Sequence, residues 1–171
     1  MHSAVVNSTP IISLDSIGKL DLLEKMYSKI YIPYAVYEEV CVDGNDVIDK
    51  KLILSFSNFT IERVSNDAAK KYFRISLHKV EVETIILASE LEADLCIIDD
   101  QVARNYAKFL GLKVTGTLGV LVKSKEKGLV YACRLSTNAG RLLVGETGLE
   151  KSTTRRGCWV FQSVFGLHEN R

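Results

Sequence analysis

The sequence lacks a strong net charge, a paired-cysteine spacing and any apolar run long enough to cross a bilayer. A formal charge of +1 removes any global electrostatic argument for nucleic acid. The four cysteines, Cys41, Cys96, Cys133 and Cys158, show no CxxC spacing, which argues against a zinc site. No stretch has the length of a membrane-spanning helix. The N-terminus enters an apolar strand at once, so no signal peptide is read. A cytoplasmic, reducing compartment and no membrane partner are therefore expected. The glycine-rich dinucleotide fingerprint, the P-loop and the nucleophile elbow are all missing, so nothing supports those three kinds of site.

What is present is ordinary for a soluble globular chain. The 171 residues suffice for one domain with a proper core, and 47% are hydrophobic and 25% charged. Charge is uneven, because residues 131–171 hold six Lys+Arg against three Asp+Glu while the first 130 are net −2. Ala4-Val5-Val6 followed by Asn7-Ser8-Thr9-Pro10 reads as a strand turning into a helix that Gly18 closes. Leu20 to Met26 suits a second helix, Ile30-Tyr31-Ile32 a strand, and Pro33 opens a helix carrying Glu38 and Glu39. Asp43-Gly44 marks a turn, and Val47 to Phe56 is weakly helical. Phe59 to Val64 alternates like an edge strand, and Asn66-Asp67 looks like a helix start. Val80 to Leu91 has helical spacing.

The chain is organised around the next stretch, Ala93 to Asp100, a short apolar run ending in two carboxylates. It predicts a buried parallel strand, with Cys96 a buried thiol. Val102 to Leu110 is helical with Gly111 after it, Leu112-Lys113-Val114 is a last strand, and Thr115-Gly116-Thr117 leads into a final helix. Strand and helix alternate throughout, which predicts an α/β fold, a three-layer α/β/α sandwich on a mostly parallel sheet. From residue 131 the pattern changes, and five of the eleven glycines fall in this tail. A domain over residues 1–130 and an atypical tail over 131–171 are expected. The tail is read as a loose extension, a partner-binding arm or the product of a reading-frame shift.

Parallel strands bring their carboxyl ends to one edge, where such sheets place ligand sites. Asn7-Ser8, Asp99-Asp100 and Thr115 with Thr117 lie at those ends, and helices add Glu38, Glu39, Glu81 and Glu83. Carboxylates gathered so closely need a hard cation such as Mg²⁺ or Mn²⁺, and such a site suits phosphodiester cleavage. Plain structural roles compete for each residue. Asn7 or one of the aspartates can cap a helix, and Glu38-Glu39 can be a solvated face. Thr115-Gly116-Thr117 can shape a turn, and His78 can be a surface histidine. Glu81 and Glu83 point opposite ways on a helix, so at most one is expected in the site and the other at the surface.

In order, Val5 to Ile12, Ile32-Pro33 through Val36 to Val40, Leu77 to Ala88, Leu95 to Ala103 and Gly116 to Leu121 resemble PIN-domain proteins. The likeness is to an uncharacterised prokaryotic branch resembling VapC-type toxins, and it covers roughly residues 4–130. It implies a Mg²⁺- or Mn²⁺-dependent ribonuclease acting on RNA. It also implies an antitoxin protein as partner where the chain is a toxin, and a homodimer. Carried over, Asn7 takes the place of the first acid with Ser8 beside it. Glu39 is the helix acid with Glu38 its alternative, Glu81 the third acid and Asp99 the fourth with Asp100 its neighbour. These four residues would be the catalytic, metal-holding set, with Glu83 and Thr117 also supporting. Two departures follow. Asn7 keeps a carbonyl oxygen but removes one negative charge, and His78 and Val80 replace the glycines usual before the third acid. The first departure keeps a second reading open, a weakened or inactive PIN-like module that binds RNA or a protein partner.

Overall fold

The computed structural model describes residues 2–41, 48–66, 77–134 and 142–145. The chain divides into two compact units, residues 1–117 and 118–171. The first holds a five-stranded sheet in the order β3-β2-β1-β4-β5, in which every pairing is parallel. The strands are β1 Ser3–Val6, β2 Lys29–Pro33, β3 Phe59–Glu62, β4 Leu95–Ile97 and β5 Val114–Thr115. The helices between them are α1 Ser8–Ser16, α2 Asp21–Met26, α3 Tyr34–Cys41, α4 Lys50–Ser55, α5 Lys79–Glu90 and α6 Gln101–Phe109. A seventh helix, α7, spans Thr117–Glu126. The α/β/α architecture expected from the alternating pattern is thus present, with β3 at the edge where its alternation placed it. The expected turn at Asp43-Gly44 and the helix start at Asn66-Asp67 fall on or against residues outside the described ones.

Strand direction explains the layers. From β1 the chain steps one way to β2 and β3, then returns across the sheet and steps the other way from β4 to β5. Right-handed crossovers therefore lay α1 to α4 on one face and α5 and α6 on the other. Side-chain alternation agrees. Val5 and Cys96 pack with Ile85, Leu87, Ala103 and Ala107 from α5 and α6. Ile32 shares a small apolar space with Ile11, Val36, Val40 and Ile53 on the other side. Burial pushes the Cys96 thiol up to about 12, which suits the inert buried cysteine expected from sequence.

The switch in direction falls between β1 and β4, the place where open α/β sheets leave a crevice. Register sets the depth of that crevice. Val6 pairs with Ile97, and the Asn7 amide donates to Ile97 O at 3.0 Å, so Asn7-Ser8 and Ile98-Asp99 leave the sheet side by side.

The second unit, described by itself, contains the rest of α7 and an antiparallel hairpin, β6 Tyr131–Arg134 with β7 Leu142–Gly145. The glycine-rich region thus begins with a sheet of its own rather than a strand added to the main one. Among the described residues no helix is long and apolar enough to cross a membrane.

Candidate active site

At the end of β1, Asn7 is only 2% exposed and precedes α1 with extended backbone. Its side chain does not cap that helix. It turns instead to α5, where the Thr84 hydroxyl lies 3.3 Å from Asn7 Oδ1. The same hydroxyl lies 2.7 Å from Val80 O. A hydroxyl has one proton, and the shorter contact claims it. Asn7 Oδ1 therefore keeps most of its capacity to accept or to coordinate.

The end of β4 is built differently. Asp99 is half-buried, and Thr117 holds both its oxygens, the amide donating to Oδ1 at 2.8 Å and the hydroxyl to Oδ2 at 2.5 Å. Gly116 makes this possible, because a Cβ there would sit 2.5 Å from Asp99 Oδ1. Asp100 accepts from Ala103 N at 2.7 Å and caps α6. Of the two adjacent aspartates, Asp100 is thus the helix cap, and Asp99 is bound by Thr117 instead. Thr117 serves an acid instead of simply shaping a turn.

On the α1–α3–α5 side a cleft of about 500 Å³ is lined by Ser8, Glu38, Glu39, His78, Lys79 and Glu81, among others. Glu39 is exposed, and Glu38 pairs with Lys79 at 3.4 Å. Glu81 is half-buried, and its Oε2 is buried without a hydrogen-bond partner. His78 is exposed, as expected, but it stands at this cleft as the residue preceding α5.

Glu83 corrects the sequence reading. Being opposite Glu81 on the helix was expected to put it at the surface, yet it is 5% exposed and accepts from Ala35 N at 3.3 Å. The α5 helix is packed on more than one side, so the turn away from the cleft leads to the start of α3 and not to water. There the helix N-terminus favours a carboxylate. Glu83 is therefore a joint between α3 and α5, the two helices that carry the cleft acids.

Two residues that sequence reasoning passed over belong beside Asp99. Gly116 had been assigned only to a turn, and its close approach to the carboxylate could be known only from the packing. Arg104 approaches the same point from α6, its Nη1 being 3.4 Å from where the Gly116 Cβ would be. One basic residue in a helical pattern carries no signal of that.

A Mg²⁺ ion takes one or two carboxylates and keeps several waters. Glu81 Oε2 has no donor, and a buried carboxylate oxygen in that state is satisfied by gaining a cation or a donor. Asn7 Oδ1 and Asp99 add oxygens at the neighbouring strand ends. Among the described residues no three Asp, Glu, His or Cys side chains stand close enough to hold a metal by themselves. The donor set suits a partly hydrated ion held by few protein oxygens, not a closed cage.

Comparison with known proteins agrees with this architecture. The fold is similar to a PilT N-terminus domain protein from the hyperthermophilic archaeon Sulfolobus solfataricus P2, at 25% identity and a TM-score of 0.55 over 72% of this chain and 94% of that one. No curated protein matches. A family model described as a PIN domain matches residues 3–139, well over half of the sequence. The chain therefore belongs to the PIN-domain family, whose members in general are nucleases that bind RNA and use divalent metal ions.

Proposed function

We propose that this chain is a Mg²⁺- or Mn²⁺-dependent endoribonuclease, with Asn7, Glu39, Glu81 and Asp99 as its metal-holding set. The observation that carries the reading is the partnerless, buried Glu81 Oε2 at a cleft opening beside the carboxyl end of β1. Bound there, the divalent ion would supply Lewis-acid polarisation of the phosphoryl oxygens and lower the pKa of a water. Thr117 fixes the Asp99 carboxylate, so little reorganisation is needed when charge develops at phosphorus. Asn7, Glu39, Glu81 and Asp99 would hold the ion; as the new P–O bond forms and the bond to the leaving oxygen breaks, the proton of the attacking water would pass to solvent and the leaving oxygen would take one from it. Glu39 is exposed at the cleft. Ser8, Glu38, Asp100, Glu83 and Thr117 support this set.

The test is cleavage of a panel of single-stranded RNAs with and without divalent metal. Metal-dependent cleavage by the wild type that Glu81→Gln and Asp99→Asn both remove supports the reading, and cleavage unchanged in either variant rules its residue out. A role as the toxin of a toxin–antitoxin pair and a homodimeric state go with the same proposal. A small gene adjoining the coding sequence, whose product suppresses cleavage on co-expression, supports the former, and light scattering reads the latter.

A second reading has its own observation. Asn7 stands where the family's first acid would be and is buried. A weakened or inactive module that binds RNA or a protein partner follows from that lost charge. Calorimetric metal titration separates the two, because tight Mn²⁺ binding by the wild type favours the enzyme. Binding and cleavage that appear only in Asn7→Asp favour the weakened module.

A further inference from the structure

Arg104 has a charge and a setting that the site described so far does not use. It lies one turn into α6, just after Asp99-Asp100, and is half-buried. Its Nε is buried with no hydrogen-bond partner, and no ion pair of its guanidinium is found among the described residues. An arginine cannot shed its charge, and a buried donor without an acceptor is costly. Its Nη1 and Asp99 Oδ1 lie 3.4 and 2.5 Å from the point where a Gly116 Cβ would be, so they are neighbours across a residue with no side chain. Yet both Asp99 oxygens are already served by Thr117. Each of these oxygens keeps a further lone pair, yet among the described residues no ion pair joins this carboxylate to the guanidinium.

A guanidinium presents a rigid fork suited to carboxylate or phosphate. With no ion pair to the local carboxylate, the Nη groups of the half-buried fork are left to an anion brought from outside. A Cβ at Gly116 would crowd this Nη1 as well as the Asp99 carboxylate, so glycine lets the fork and the acid come near each other. We propose that Arg104 is a phosphate-binding residue that receives the non-bridging oxygens of an RNA phosphodiester beside Asp99. The identity of the anion rests on the nuclease reading above. The site lies at the β4–α6 end, apart from the residues lining the Glu81 cleft.

The test uses the full chain with Arg104→Gln and Arg104→Lys. Affinity for a fluorescein-labelled single-stranded RNA is read by anisotropy in EDTA across a salt series, and Mn²⁺ affinity by calorimetry. Arg104→Gln is expected to weaken RNA binding about tenfold and to reduce the slope of log K against log salt by about 0.7. Removing a positive charge beside Asp99 is expected to tighten Mn²⁺ binding in the same variant, and a merely structural loss would not move the two ligands in opposite directions. Arg104→Lys keeps the wild-type slope at weaker affinity, because the charge remains and the fork is lost. Should the Gln variant fail to fold, the Lys variant decides alone. Wild-type RNA affinity in a folded variant, or no RNA binding by the wild type, overturns the proposal. Wild-type RNA binding that depends on Arg104, with no cleavage under any metal, supports it and removes the nuclease reading instead.

Discussion

Asn7 and Asp99 leave neighbouring strands at the same edge of the sheet, yet their settings differ in every physical respect. Asn7 is sealed in, neutral, and meets a hydroxyl whose proton is better placed on Val80 O. Asp99 is half-open and held at both oxygens by one threonine next to a glycine. The contrast shows how a fold can hold an acid in place without burying it and keep a buried position polar with an amide. Burial of a lone carboxylate is costly. On the proposed assignment, an amide at the sealed position costs the fold little and would cost cation binding one negative charge.

Breaking the Asp99 end should have the largest effect. Asp99→Asn is expected to lower metal-dependent RNA cleavage by about 10²-fold or more, the scale of losing one preorganised charge stabiliser, with circular dichroism unchanged. Unaltered cleavage by that variant sinks the assignment. Next comes Gly116→Ala, whose new methyl must displace the Asp99 carboxylate. A stability loss of about 1–3 kcal/mol is expected for such overpacking, read by urea denaturation, together with a fall in cleavage. If Asp99 were not held against Gly116, the substitution would be silent in both assays.

Charging the other end sharpens the comparison. Asn7→Asp places a carboxylate at a 2% exposed position. In EDTA it should cost about 1–3 kcal/mol, and Mg²⁺ should restore most of that loss by binding the folded state. A melting temperature indifferent to Mg²⁺ would show that the position is not a ligand. Thr84→Val should cost about 1 kcal/mol, chiefly through the lost bond to Val80 O. A smaller effect is set far from the site. Ser3 N–H donates to Asp94 and holds its carboxyl below the usual range, with His2 and Lys113 adding to this. A lowered folded pKa gives stability that is present above the unfolded carboxylate value and is lost as pH falls towards the folded one. Asp94→Asn should therefore narrow the difference in melting temperature between pH 7 and pH 3, and an unchanged difference would show that this bond carries nothing.

Much of the fold was legible because its signals are local. Pro10 and Pro33 near helix starts, the β-branched run at Val5-Val6 and the apolar run before Asp99 each mark an element without reference to any partner. The site was legible only in part. Glu81 shows its side of α5 by helical spacing, but the burial of Glu83 depends on where the start of α3 comes to rest. Asp100 reads as a cap from its place before α6, whereas the hold of Thr117 on Asp99 spans eighteen residues.

By itself the sequence determined the parallel α/β order and the gathering of polar residues at strand ends, because hydrophobic period and turn chemistry act over a few residues. Only the tertiary structure decided which of those groups is sealed, which is held and which is left without a partner. Burial, the single proton of Thr84, the missing Cβ of Gly116 and the unmet guanidinium of Arg104 are properties of neighbours brought together by the switch in strand direction.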